Sequence, residues 1–251
     1  MSDQETTRRV AVVANASDYV GPALARELAR RGCDLVLGDP TPELAGELAE
    51  LGAESWVVDG VKDLAKPESA IRLLDMAMDA YGRVDAVAAF TGTIVTGRFL
   101  DSEPDHLDRV MGGNLMAPYR TLRVFLPPMV EAGTGQVLIM TSATGLRVSP
   151  GAPLYSATRA GANMLVRNVA AEVASSGVQV NAVGTNFMDF PGFLAASGAS
   201  DPDVRARIEG NVPMGRLGSM EEFAAFCAVF LDGSSRFQTG QTVGYDGGWS
   251  A

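Results

Sequence analysis

Short β-branched runs alternate with stretches of helical period along the whole of this chain, and that alternation restricts the fold more than any other feature. The strand-type runs are Arg9 to Ala14, Leu35 to Leu37, Trp56 to Val58, Val84 to Phe90, Gln136 to Met140, Val178 to Val183 and Gln241 to Gly244. Between them lie helical patterns at Pro22 to Arg31, Pro42 to Leu51 and Pro67 to Tyr81. In the third of these, Ile71, Leu74, Met78 and Tyr81 share the apolar face. A helical region from Asp105 to Ala132, interrupted near Pro118, a long helix from Pro153 to Ser176 and a last helix from Glu221 to Leu231 follow. Continuous apolar runs separated by helices predict βαβ units and a parallel sheet buried on both faces.

No linker, repeat or low-complexity block interrupts the pattern. The expected architecture is therefore one α/β domain over 1–251: a doubly wound, Rossmann-like, seven-stranded parallel sheet flanked by helices. The stretch from Thr185 to Arg216, rich in Gly, Pro, Ser and Asp, reads as an insertion over the site rather than as core. A chain of 251 residues buries enough surface to need neither metal nor disulfide. Cys33 and Cys227, far apart, read as small buried apolar residues. The single histidine, His106, leaves little room for metal or histidine-based triad chemistry, and its Ser102–His106 neighbourhood reads as an exposed helix start.

A net charge of −10 argues against nucleic acid, whose phosphates call for clustered Lys and Arg. Met1 to Glu5 has no apolar signal core, and no run approaches a membrane span of about 18 apolar residues. A cytoplasmic protein without membrane or nucleic-acid partners is the expectation.

Ligands of such sheets sit outside the carboxyl ends of the strands. A dinucleotide turn needs bare glycine backbone after the first strand. Here the turn reads Ala14-Asn15-Ala16-Ser17-Asp18-Tyr19-Val20-Gly21, and only Gly21 remains, at the position that permits close helix–strand packing. Tyr19 stands where open backbone is needed, so the nucleotide site reads as plugged. The other reading is a core aromatic on a divergent but working turn. Asp39, after the second strand, is placed to hold a ribose hydroxyl, yet an acid before Pro40 is also ordinary turn chemistry.

After the fifth strand comes Thr141-Ser142, then Tyr155 thirteen residues beyond Ser142 and Arg159 four further on. Residues i and i+4 of a helix share a face, so phenol and guanidinium can lie side by side. A free tyrosine titrates near 10, and a base at pH 7–8 needs roughly 3–4 kcal/mol of phenolate stabilisation. A neighbouring permanent cation is the direct source. Ser142 would hold a substrate oxygen by a hydrogen bond. An ordinary Tyr–Arg stack is the alternative for Tyr155 and Arg159 taken alone.

Gly113-Asn114-Leu115, Thr141-Ser142-Ala143, Tyr155-Ser156-Ala157, Val180-Asn181-Ala182-Val183 and Tyr245-Asp246-Gly247-Gly248 together make the whole chain resemble the short-chain dehydrogenase/reductase family. That family uses Ser, Tyr and Lys. Arg159 replaces the Lys, the glycine-rich turn is lost, and Ala89-Phe90-Thr91-Gly92 replaces Asn-Asn-Ala-Gly. Arg for Lys plus an aromatic in the turn resembles one offshoot, the halohydrin dehalogenases, with Ser142, Tyr155 and Arg159 matching Ser-x12-Tyr-x3-Arg in full. Tyr19 and Gly21 match their Thr-x4-Phe/Tyr-x-Gly turn, and Ala14 departs from it.

That resemblance implies cofactor-independent conversion of vicinal haloalcohols to epoxides plus halide, and the reverse ring opening by azide, cyanide, nitrite or halide. Tyr155 would be the base, Ser142 the oxygen-binding group and Arg159 the cation beside the phenol. It further implies a halide or nucleophile pocket formed by Asn186, the amides of Phe187 and Met188, and Tyr19 as a wall, with Phe190 to Leu194 as a flap and a homotetramer as the assembly. The alternative for the loop is a plain turn with Phe187 as core. Asn114 is expected to make a helix-bend hydrogen bond, and Asp59 to be an inherited sheet-edge acid.

Two other functions stay open. An NAD(P)-dependent reductase needs Asp39 on the ribose and Tyr19 swung away; a binding module on a degraded fold would not depend on Tyr155.

Overall fold

A computed structural model describes residues 8–90 and 92–251. The expectations placed on Met1 to Glu5 and on Thr91 lie outside these residues.

Seven parallel strands form one sheet in the order β3-β2-β1-β4-β5-β6-β7. They are β1 (Arg9–Val13), β2 (Cys33–Gly38), β3 (Ser55–Val58), β4 (Ala86–Phe90), β5 (Gly135–Ser142), β6 (Val178–Thr185) and β7 (Thr242–Tyr245). The helices are α1 (Gly21–Arg30), α2 (Leu44–Glu50), α3 (Pro67–Tyr81), α4 (Pro104–Met111), α5 (Ala117–Ala132), α6 (Pro153–Val173), α7 (Pro191–Ser197), α8 (Pro202–Glu209) and α9 (Met220–Ala228). The order reverses between β1 and β4, so the ligand crevice of the fold opens over those two strand ends.

Successive strand residues face opposite sides. Ala11, Val13, Leu35, Leu37, Leu138 and Met140 pack with Leu24 and Leu28 of α1, Leu48 of α2 and Phe223 of α9. Val10, Val12, Val36, Val137 and Ile139 pack on the other side with Leu73 of α3, Phe125 of α5 and Val166 of α6. The central strands are thus buried on both faces; at the edges, Trp56 and Val57 of β3 are exposed and β7 is only partly buried.

Three expectations are corrected. In α3 the buried residues are Ser69, Ala70, Leu73 and Ala77, whereas Ile71 and Met78 stand 46% and 40% exposed. Small side chains let this helix approach the sheet closely, and the larger ones point outward. The interruption expected near Pro118 lies earlier, as a π-helical turn over Gly112–Met116, while Pro118 sits in the first turn of α5, where no N–H is needed. The 185–216 stretch carries two short helices, α7 and α8, so the flap from Phe190 to Leu194 is largely the start of α7.

His106 lies in the first turn of α4, its Nδ1 accepting the Glu103 amide at 3.3 Å. Both cysteines are free and buried. Burial pushes the Cys33 thiol up to about 11 and raises that of Cys227 as well. Neither thiol should react with a thiol-specific chromogenic disulfide at pH 8 in the folded protein, and both should react in denaturant; fast labelling of the native chain would contradict the packing.

Candidate active site

Ser142 ends β5, and the backbone turns there into a single 3-10 turn over Ala143–Gly145. Pro153 opens α6, which places Tyr155 in the first turn and Arg159 one turn on. All three are buried, at 5%, 8% and 4% exposure. The Arg159 guanidinium carbon lies 5.2 Å from the centre of the Tyr155 ring, the stacked arrangement that i, i+4 spacing predicts. Strand and helix are tied together one residue earlier: Thr141 Oγ1 donates to Asn163 Oδ1 at 2.7 Å.

Arg159 also depends on a glycine. A Cβ at Gly92, whose φ is +152°, would come 1.9 Å from the guanidinium Nη2 and 3.0 Å from Asn114 Oδ1. Asn114 sits in the π turn, accepts the Thr93 amide at 2.9 Å and donates to Thr93 O and to Thr158 Oγ1 at 3.0 and 3.1 Å. It therefore pins the loop after β4 to α6. Gly92→Ala is expected to cost roughly 1–3 kcal/mol of stability through overpacking. Denaturant unfolding would read this, and an unchanged midpoint would show that the loop yields freely.

Tyr19 lies in the turn after β1 with φ +53°. Its ring crosses the strand ends, packing edge-on to Phe90 at 5.2 Å and Phe190 at 4.9 Å, and tilted against Phe223 at 5.7 Å. Its hydroxyl is bonded to Thr185 Oγ1 at 2.6 Å, and burial holds the phenol well above its ordinary pKa. The ring thus spans the crevice between β1 and β4. Gly21 keeps the role read for it, since a Cβ there would meet the Asn15 carbonyl oxygen at 2.0 Å. Asp39, at φ +46°, accepts the amides of Gly60 and Val61 at 2.5 and 2.8 Å, one on each carboxylate oxygen.

Asn186, Phe187 and Met188 line a cavity of about 400 Å³ with Val212, Met214 and Arg216 among its other walls. The Phe187 amide donates to Asn186 Oδ1 at 3.0 Å, and Phe187 itself has φ +55° with its ring against Phe193 and Trp249. Ser142, Tyr155, Arg159 and Tyr19 do not line this cavity. Asp59 is exposed at the end of the edge strand. Among the described residues no group of three His, Cys, Asp or Glu could hold a metal ion, and no helix is long and apolar enough to cross a membrane.

Two residues absent from the sequence reading join the site. Thr144 bonds to Ser142 Oγ through both its hydroxyl, at 3.0 Å, and its amide, at 3.3 Å. Thr185 accepts the Ser142 hydroxyl on its carbonyl oxygen at 3.3 Å and holds Tyr19 through its side chain. Thr144 lies only two residues beyond Ser142 in the sequence; the Thr185 link arises only from the pairing of Ser142 with Thr185 between β5 and β6.

Comparison with known proteins defines the class. A family model described as enoyl-(acyl carrier protein) reductase matches residues 14–250. The chain belongs to this short-chain dehydrogenase/reductase family and is an enzyme of an oxidoreductase family. It is 30% identical over 250 residues to "Oxidoreductase UcpA" of Escherichia coli (strain K12), covering 96% of this chain and 94% of the relative. It is 32% identical over 248 residues to "Cis-4-hydroxycyclohexanecarboxylate dehydrogenase" of Sinomonas cyclohexanicum, covering 97% of each. The solved structure "ElxO with NADP Bound" superposes with a TM-score of 0.85 over 97% of this chain and 99% of that one; at 18% identity it shows the shared fold.

These findings overturn the expectation of a cofactor-independent haloalcohol–epoxide lyase and favour the nicotinamide-dependent alternative. The physical reason lies in the chemistry of the three side chains. A hydroxyl donor, a phenol and a cation bind and deprotonate an alcohol whatever then happens at the neighbouring carbon, so their spacing cannot select between losing a halide and losing a hydride.

Proposed function

We propose that the chain acts on the C–O group of a small secondary alcohol or the matching ketone, as a short-chain oxidoreductase. The observation that carries this reading is the Tyr155 phenol stacked on the Arg159 guanidinium, on a helix tied to the strand end that presents Ser142. Ser142 donates a hydrogen bond to the substrate oxygen. Tyr155 takes the proton of the alcohol, or returns one to the ketone oxygen. Arg159 supplies fixed positive charge beside the phenol as that proton moves. The alcohol class follows the name of the cyclohexanecarboxylate relative.

In this family a nicotinamide dinucleotide, when bound, supplies or takes up the hydride. The residues after β1 do not fit that group as they stand. Tyr19 fills the crevice above β1 and β4. A dinucleotide can lie there only with the Tyr19 ring out of its cage.

The test uses purified protein with NADH or NADPH titrated by fluorescence, then NAD+ or NADP+ with 4-hydroxycyclohexanecarboxylate and unsubstituted cyclohexanol, followed at 340 nm. Nucleotide binding with alcohol-dependent absorbance is expected. The absence of both binding and turnover with either nucleotide would overturn the reading. Assembly as a homotetramer belongs to the same proposal, supported by the exposed Met116, Tyr119 and Met164 on the helical face. Light scattering behind size exclusion checks it, and a monomer would refute it.

A further inference from the structure

We infer that Thr144 is a positioning residue that makes Ser142 a pure hydrogen-bond donor toward the substrate oxygen. The inference rests on the reading of Ser142 as the oxygen-binding group. A serine hydroxyl carries one proton and two acceptor lone pairs. The carbonyl of Thr185 cannot donate, so the 3.3 Å contact between Ser142 Oγ and Thr185 O uses the one proton of Ser142. The Thr144 hydroxyl, 3.0 Å away, must then donate its own proton to Ser142 Oγ. The Thr144 amide donates to the same oxygen at 3.3 Å. Two donors therefore occupy both acceptor sites of Ser142.

Two consequences follow. Ser142 has no lone pair left to receive the proton of a bound alcohol, so that proton has a single destination in the pair, the Tyr155 phenol. Donors on an oxygen also strengthen the bond its own proton makes, because chained hydrogen bonds polarise one another. The bond to Thr185 O is long, so exchanging it for a substrate oxygen costs little. Thr144 remains in place throughout: its amide is fixed by the 3-10 turn that Ser142 opens.

The test needs no substrate. Ser142→Cys puts a thiol where Thr144 donates, and donors favour its thiolate. Thiolate absorbance at 240 nm would be titrated in Ser142→Cys, in Ser142→Cys with Thr144→Val, and in Ser142→Cys with Thr144→Ser. The wild-type titration, subtracted from each curve, removes the absorbance of the two buried native thiols and of the tyrosines. The midpoint should rise by about one pH unit with valine, which keeps the amide and the shape but loses the hydroxyl, and return with serine. An unchanged midpoint with valine, or no return with serine, overturns the inference. Should the valine protein fail to fold, Thr144→Ala replaces it under the same criterion.

Where a substrate pair turns over, Thr144→Val should lower kcat about tenfold and have no further effect on a Ser142→Ala background. An additive loss on that background overturns the inference as well. Absence of all turnover would count against the functional reading alone, since the thiol titration stands without it.

Discussion

Tyr155→Phe is expected to fold as the wild type does and to turn over the alcohol roughly 10²–10⁴ times more slowly. The substitution removes one oxygen from a residue otherwise held by the first turn of α6 and by its stack on Arg159. The ring stays, so the guanidinium keeps its neighbour. What disappears is the atom that receives the proton in the proposed reaction, which Ser142 cannot replace while the Thr144 hydroxyl and amide occupy its lone pairs. A loss of that size corresponds to about 2.7–5.5 kcal/mol of barrier. Initial rates at 340 nm would be compared with the denaturation midpoint and with nucleotide affinity, neither of which should move appreciably. A phenylalanine variant within fivefold of wild-type kcat would remove Tyr155 from the chemistry. Arg159→Met should be slowed too, but with a fall in stability, because the buried guanidinium packs directly against the Gly92 backbone and the Tyr155 ring.

The fold was legible because hydrophobic period carries it. Strands buried on both faces read as continuous apolar runs, and all seven lie where those runs are. What periodicity misjudged was the packing of small residues. Ala70, Leu73 and Ala77 face the sheet in α3, while Ile71 and Met78 look outward, since close approach rewards small side chains over large ones. Likewise Gly112 and Gly113, rather than Pro118, mark the break between α4 and α5. At the site, residues joined by local spacing were readable: Tyr155 and Arg159 by helical period, Tyr19 by its intrusion into a turn. The chain of hydroxyls from Thr144 through Ser142 to Thr185 and Tyr19 was not, because it depends on the register between β5 and β6. Nor was the reaction. A hydroxyl donor, a phenol and a cation suit redox and non-redox chemistry at an alcohol alike, and the family comparison, not the spacing, separates the two.

Tyr19→Gly is expected to tighten binding of NADH or NADPH roughly 10- to 100-fold while lowering stability by about 2–4 kcal/mol. Both effects have one source. In the wild type a dinucleotide crossing the β1–β4 crevice must displace a ring packed on Phe90, Phe190 and Phe223 and break the 2.6 Å bond to Thr185. Aromatic pairs of this geometry contribute about 0.5–1.5 kcal/mol each beyond their area. Losing three on binding therefore weakens affinity by an amount that glycine does not forfeit. Glycine also takes the φ of +53° without strain, so the turn itself should keep its path. Tyr19→Phe separates the parts, since it retains the ring and drops only the hydroxyl; its affinity should lie near the wild-type value. Fluorescence titration of the three proteins with each nucleotide reads the series directly. Equal affinities for wild type and Tyr19→Gly would mean that the ring is no obstacle. Attention would then pass to Asp39, whose carboxylate is oriented by the Gly60 and Val61 amides and keeps a free lone pair on each oxygen for a ribose hydroxyl.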